Sequence, residues 1–284
     1  MSWLSLAFSA AFVWAIGNVL TKKGFEHVSP LWSNIIFNGM GLLLWVPLGL
    51  YLSHFSIHPL TWGSFAAIFL AYAAYFLYFY TLSKGELSLT GTLLSTYPVA
   101  TVILSYIFLG ERISSVQVGG ILLVIVGSVL ISLPEKGLPK VVRDYSWLRW
   151  GIISSILIGM GDFLSKYSVN EIGSYSQIFY APIISIGLSA ATYIFDKKNR
   201  QAPQIAGKLL IPSLIGLLLL SLGNIFFFVA LGKGDASLVA PVSSAYPALM
   251  VLLAIIFLKE KVTKKQTVGI ATTIVGIVLL GITV

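Results

Sequence analysis

The sequence predicts an all-α membrane protein, with ten transmembrane helices forming two inverted repeats of five. Three observations lead there. First, 57% of the 284 residues are hydrophobic and only 10% charged, with a strongly positive mean hydropathy. A soluble chain of this length could not hide so much apolar surface in one core. Second, apolar runs of roughly 18–23 residues, enough to cross ~30 Å of hydrocarbon, recur between short polar breaks. Third, the second half of the chain repeats the first.

The runs are Trp3–Leu20, Leu31–Tyr51, Trp62–Leu82, Leu87–Leu109 and Val116–Leu133, then Leu148–Tyr167, Tyr175–Phe195, Leu209–Leu231, Ala236–Leu258 and Val268–Val284. The first lacks a basic leading region and its charges, Lys22 and Lys23, follow it, so it reads as a retained span rather than a signal peptide. The longest break, PEKGLPKVVRDYSW, is rich in charge, Pro and Gly. It divides the chain into residues 1–133 and 148–284, with 134–147 as a linker.

From Lys84 and from Lys233 two fifty-residue stretches align without gaps at a constant offset of 149, pairing Tyr97 with Tyr246 and Glu111 with Glu260. About two-fifths of the aligned positions are identical, more than shared hydrophobicity gives. GNVLTKK (Gly17–Lys23) matches GDFLSKY (Gly161–Tyr167) more weakly. Five spans per unit is an odd number, so the second unit enters the membrane upside down. Charge agrees: the loops after spans one, three, five, seven and nine hold 15 of the 18 basic residues. Such loops stay cytoplasmic, which places both termini outside. GERISS (Gly110–Ser115) is nearly free of basic residues and its equivalent KEKVTKK (Lys259–Lys265) is full of them, the opposite bias expected of inverted repeats. The net charge of +8, which in a soluble chain would suggest nucleic acid, is explained by these loops.

Inverted repeats are the usual frame of secondary transporters, whose solute sits near the midplane and is released to either side in turn. Pro98 and Pro247 fall about halfway along the fourth and ninth spans. There they are expected to free the carbonyls of Leu94 and Ser243 and to act as hinges or cavity-formers, or else as static kinks.

YIFLGERISSVQVGGILLVIVGSVLI and IIFLKEKVTKKQTVGIATTIVGIVLL resemble the fourth-to-fifth-span signature of EamA-type members of the drug/metabolite transporter superfamily. WAIGNVLTKKG (Trp14–Gly24) resembles that family's first span, with the usual Trp-Gly pair interrupted by Ala-Ile. The resemblance implies a bundle around a central cavity made by spans one, three and four with six, eight and nine, spans five and ten being peripheral. It also implies export of amino acids or other small metabolites, which points to the cell membrane as location.

Residue by residue, Ser88, Thr92 and Ser95 share one face of the fourth span, and Ser237 and Ser244 match the outer two on the ninth. Small hydroxyls there either let helices approach or line a cavity. Tyr72 and Tyr75 lie too deep for an aromatic belt, and Asn224 holds the place of Tyr75 in the second repeat; all three are expected to face substrate. Tyr78 and Tyr80 read as belt residues. Asp162, an acid well inside a span, is a binding candidate or half of a structural pair with Lys166 one turn on, with Asn18 and Lys22 in the equivalent places. Glu111 and Glu260 are expected to shape tight loops. Gly120 and Gly127, with Gly269 and Gly276, give spans five and ten small-residue faces for packing within the fold or for a homodimer.

The expected solute site is therefore Asn18, Tyr72, Tyr75, Ser95, Tyr97, Asp162, Asn224, Ser244 and Tyr246. Its deep charges nearly cancel, which suits a small neutral or zwitterionic solute and excludes polyanions and polyamines. No cofactor or metal is expected: there is no cysteine, no zinc motif and no phosphate loop, and His27, His54 and His58 fall in breaks without a ligand cluster. GMGD (Gly159–Asp162) resembles the motif of intramembrane aspartyl proteases, but that chemistry needs two carboxylates in one site, and every other acid lies at a span end or in a loop. A purely structural membrane protein is the remaining alternative, and a solute-flux assay separates it from a transporter.

Overall fold

The computed structural model describes residues 1–22, 28–82, 94, 96–132, 146–201, 210–258 and 263–282. The helices are α1 (Trp3–Lys22), α2 (Pro30–Leu52), α3 (Trp62–Leu82), α4 (Pro98–Leu104), α5 (Ser115–Ser132), α6 (Ser146–Ile172), α7 (Ser174–Phe195), α8 (Leu210–Leu231), α9 (Ala236–Ser243), α10 (Tyr246–Leu258) and α11 (Lys264–Ile282). Together α9 and α10 make the ninth span. Eight spans are long and apolar enough to cross a membrane, while Pro98–Leu109 and Ser115–Ile131 are shorter apolar helices. The expected start of the fourth span at Leu87, and the loops carrying Lys84 and Glu260, lie outside the described residues.

Helix pairing carries the twofold. α1 packs on α8 and, by the same exchange, α6 packs on α3; α2 packs on α7 and α5 on α11. Each of these four pairs joins a helix of one repeat to a helix of the other, so the two units interlock rather than stand side by side. Glycines set the closest approaches. A methyl at Gly276 would lie 2.7 Å from the Gly120 carbonyl oxygen, and one at Gly269 would lie 2.8 Å from that of Gly127. The glycine faces of α5 and α11 are thus filled by one another inside the chain, which is the first of the two expected uses, packing within the fold. Outward, α5 shows Leu122 and Val126 and α11 shows Ile274 and Val278, large apolar side chains that suit lipid.

The prolines do less bending than expected and more starting. Pro98 is the first residue of α4, a position where its missing N–H is no loss. The Leu94 carbonyl, expected to be freed, accepts the Tyr97 N–H at 3.1 Å. In the second repeat a turn at Ser244–Ala245 separates α9 from α10, and Pro247 is the second residue of α10. The ninth span is therefore two half-helices joined by a turn, not a single helix with a kink, and α4 likewise starts after a turn at Thr96–Tyr97.

After α4 a π-helical turn, Ser105–Leu109, ends at Gly110, whose φ of 68° only glycine adopts cheaply. This carries Glu111 across into the other repeat. Its two carboxylate oxygens accept the backbone N–H groups of Ala236 and Ser237 at 2.8 and 2.9 Å, capping the N-terminus of α9. Glu111 does more than shape its own loop: it ties the two repeats together.

Candidate functional site

A cavity of about 960 Å³, its mouth included, lies between the repeats. α1 gives it Trp14 and Asn18, α2 Asn34 and Asn38, α3 Tyr72, Tyr75 and Tyr78. Tyr97 lines it from just before α4, Asp162 from α6, Asn224 and Phe227 from α8, and Tyr246 from the start of α10. The described wall is aromatic and aliphatic, with four asparagines and one carboxylate.

Local sequence explains why Asp162 can sit there. In GMGD, a side chain at Gly159 would strike the Tyr97 carbonyl oxygen in the turn before α4 and lie 2.7 Å from the Ala100 methyl of α4. A side chain at Gly161 would strike the Tyr75 ring at 2.8 Å. The two glycines clear space on either flank, so α4 and Tyr75 close around the acid. The Tyr75 hydroxyl donates to Asp162 Oδ1 at 2.6 Å. One turn along α3, Tyr78 donates to Asn18 Oδ1 at 2.7 Å. Asn18 and Asp162 are the repeat-related pair, and one helix holds both. Opposite, the Trp14 indole donates to Asn224 Oδ1 at 3.0 Å, in space that Gly223 leaves open.

Seven of the nine expected site residues meet on this wall: Asn18, Tyr72, Tyr75, Tyr97, Asp162, Asn224 and Tyr246. Ser95 lies outside the described residues, as do Ser88 and Thr92. Ser244 is a correction. Its hydroxyl is fully buried and donates to the Pro241 carbonyl at 2.8 Å, satisfying an acceptor at the helix break instead of facing the cavity. Tyr78, expected in an interfacial belt, lines the cavity instead, because its partner Asn18 is deep.

The pairing of Asp162 with Lys166 is corrected as well. The Lys166 ammonium donates to the carbonyls of Leu231 and Gly234 at 2.8 and 2.9 Å. Leu231 ends α8 and Gly234 lies in the turn after it, at a helix C-terminus where a cation is favoured. Glu111 and Asp235 are the acids whose charges act on it. The i, i+4 spacing permits the Asp–Lys pair, but the unpaired helix end competes for the ammonium and wins.

Sequence reasoning missed Trp14, Asn34, Asn38, Phe227 and Phe228 as wall residues. Asn34 and Asn38 carried a readable signal: two amides one turn apart inside an otherwise apolar span require partners. Asn34 donates to the carbonyls of Pro30 and Phe76, and Asn38 to Ser189 at 2.8 Å.

Comparison with known proteins gives the geometry a lineage. Residues 1–133 and 145–282 match the model of the EamA-like transporter family. Over 132 residues the chain is 36% identical to an uncharacterized protein of Methanocaldococcus jannaschii, covering 46% of this chain and 93% of that one. Over 283 residues it is 24% identical to an uncharacterized transporter of Archaeoglobus fulgidus, covering 97% of this chain and 96% of that one. A crystal structure of a protein 16% identical superposes with a TM-score of 0.81, over 99% of this chain and 96% of that chain, which supports the fold. With ten spans in interlocked repeats and the family model covering both, the chain belongs to the EamA-like transporter family.

Proposed function

We propose that this membrane transporter is a secondary exporter of the cell membrane that moves a small neutral or zwitterionic solute, an amino acid or similar metabolite, by alternating access. One observation carries the reading: a single cavity between the repeats is walled by repeat-related residues, Asn18 with Asp162, Tyr75 with Asn224, and Tyr97 with Tyr246. A wall assembled this way can exchange the roles of the two repeats and so exchange the side to which it opens. The ninth span, broken at Ser244–Ala245, supplies two short half-helices able to re-angle about a turn. The wall residues of α1, α2 and α3 lie toward the end where α1 and α3 finish and α2 begins. That is the end the basic loops assign to the cytoplasm. A single carboxylate on the described wall argues against aspartyl proteolysis, which needs two.

Purified protein in proteoliposomes should exchange a labelled amino acid for unlabelled solute trapped inside. If nothing in a broad metabolite panel moves, or if sugar phosphates or multivalent cations compete best, the reading is wrong. A reporter that is active only in the cytoplasm, fused after Val284, should stay silent; a bright signal would reverse the orientation. Pro98→Ala and Pro247→Ala should each slow exchange while leaving folded protein in the membrane, because alanine lets a helix run on through the turn. Wild-type exchange in both variants would reduce the prolines to packing features.

A further inference from the structure

The polar groups of the cavity wall are not equally free. Tyr75 holds Asp162 Oδ1, while Asp162 Oδ2 and the Tyr72 hydroxyl are sealed from solvent. Asn18 is engaged at both ends of its amide: Oδ1 accepts from Tyr78 and Nδ2 donates to the Trp14 carbonyl. Asn34 turns its Nδ2 to the carbonyls of Pro30 and Phe76, and Asn38 turns its own to Ser189. Asn224 differs. Its Oδ1 accepts from the Trp14 indole at 3.0 Å, but its Nδ2 has no partner among the described residues and is not sealed.

Chemistry fixes which way this amide points. An indole N–H can only donate, so the atom that meets it on Asn224 is the oxygen, and the NH2 is left for the cavity that Asn224 lines. Trp14 is itself held in place. Its indole N–H also reaches the Leu220 carbonyl at 3.2 Å, and its ring packs on Phe227 with centroids 5.5 Å apart. The twofold shows why the NH2 is spare. Tyr75 bonds Asp162, and the repeat-related pair would be Asn224 with Asn18. Tyr78 and the Trp14 carbonyl have taken Asn18 instead. A solute that displaces the water at Asn224 must therefore supply an oxygen there or leave the N–H groups unpaired.

We propose that Asn224, locked by Trp14, is a specificity-determining residue whose NH2 donates to a carboxylate oxygen of the solute. This rests on the transporter reading and names the group by which the cavity selects. A carboxylate answers such donors better than a hydroxyl or a neutral carbonyl, because hydrogen bonds to an ionised acceptor are the stronger kind. A solute without one leaves the donors unmet, so the residue selects by exclusion as well as by attraction. Asn34 and Asn38 cannot play this part, since their NH2 groups are committed to the protein. Phe227, Phe228 and Tyr246 on the same wall offer the rest of the solute an apolar seat.

The test is calorimetric binding of L-phenylalanine and of phenethylammonium chloride, which lacks only the carboxylate, to the purified full-length protein. Asn224→Ala should weaken L-phenylalanine about tenfold or more and phenethylammonium less than about threefold. Asn224→Asp keeps the oxygen that Trp14 needs and sets a second oxygen in place of the NH2. It should weaken L-phenylalanine further than alanine does and tighten phenethylammonium, and it decides the matter if Asn224→Ala does not fold. Trp14→Phe, which unlocks the amide, should narrow the preference between the two ligands. Equal losses for both ligands in Asn224→Ala, undiminished binding of L-phenylalanine by Asn224→Asp, or no binding of it by the wild-type protein overturns the proposal. Exchange in proteoliposomes reads transport separately: a wild type that exchanges solutes with and without a carboxylate equally well sinks the role of Asn224 and leaves the transporter reading standing.

Discussion

Glu111→Ala should lower the stability of the folded protein by roughly 3–5 kcal/mol, read as a large fall in Tm of the detergent-solubilised protein. The figure follows from what the side chain does. Two backbone N–H groups at the start of α9 give their hydrogen bonds to this one buried carboxylate. Removing it strands both donors where water is scarce, each loss being of the size found for bonds to a charged acceptor, about 1.5–3 kcal/mol. Lys166 loses one of the two acids acting on it at the same time. Glu111→Gln should fall between, since an amide oxygen can serve one N–H but its NH2 faces the other. Melting of the alanine variant together with the wild type would show that the repeats do not depend on this tie.

The second large effect is expected where helices touch backbone to backbone. At Gly127 of α5 an added methyl would lie 2.7 Å from both the Gly269 carbonyl oxygen and the Thr273 nitrogen of α11. Backbone cannot rotate aside as a side chain can, so the helices must part. Gly127→Ala should cost about 1–3 kcal/mol, the usual range for overpacking, and Gly127→Leu more. Gly119 provides the control on the same helix, with nothing within 4 Å of its missing methyl. Gly119→Ala should be neutral or slightly stabilising, because alanine is the better helix former. If Gly127→Ala leaves Tm unchanged but alters the oligomeric state by size-exclusion chromatography, α5 and α11 face another copy after all.

The fold was legible because its strongest determinants are one-dimensional. Run length against bilayer thickness locates spans, and a constant offset between Tyr97 and Tyr246 or Glu111 and Glu260 exposes the duplication. Depth along a span was legible too, which is why Tyr72, Tyr75, Asp162 and Asn224 could be named. Direction was not. Ser244 and Lys166 each had two available partners, and the choice depended on a carbonyl at a helix end. For Ser244 that end belongs to its own broken span, at Pro241; for Lys166 it belongs to α8, some 65 residues on. Tyr78 erred in the same way, since its depth follows from Asn18 on another helix. Glu111 was read as local because its motif is local, yet its partners are 125 residues downstream.

The crossing of partners between repeats also sets a timetable for biosynthesis. A ribosome delivers α1, α2, α3 and α5 long before α8, α7, α6 and α11, the helices they pack against. Through the first half of translation the spans of the first repeat lack the helices they chiefly pack against, and the carboxylate of Glu111 has no α9 to cap. Contacts of such long sequence separation form slowly, and they form late. The pair of α5 with α11 must form last, and until then the glycine stripe on α5 is open to whatever helix drifts past. Membrane proteases and insertase chaperones would meet this species before the finished protein forms, so slow arrival of the last span should lower its abundance in a cell.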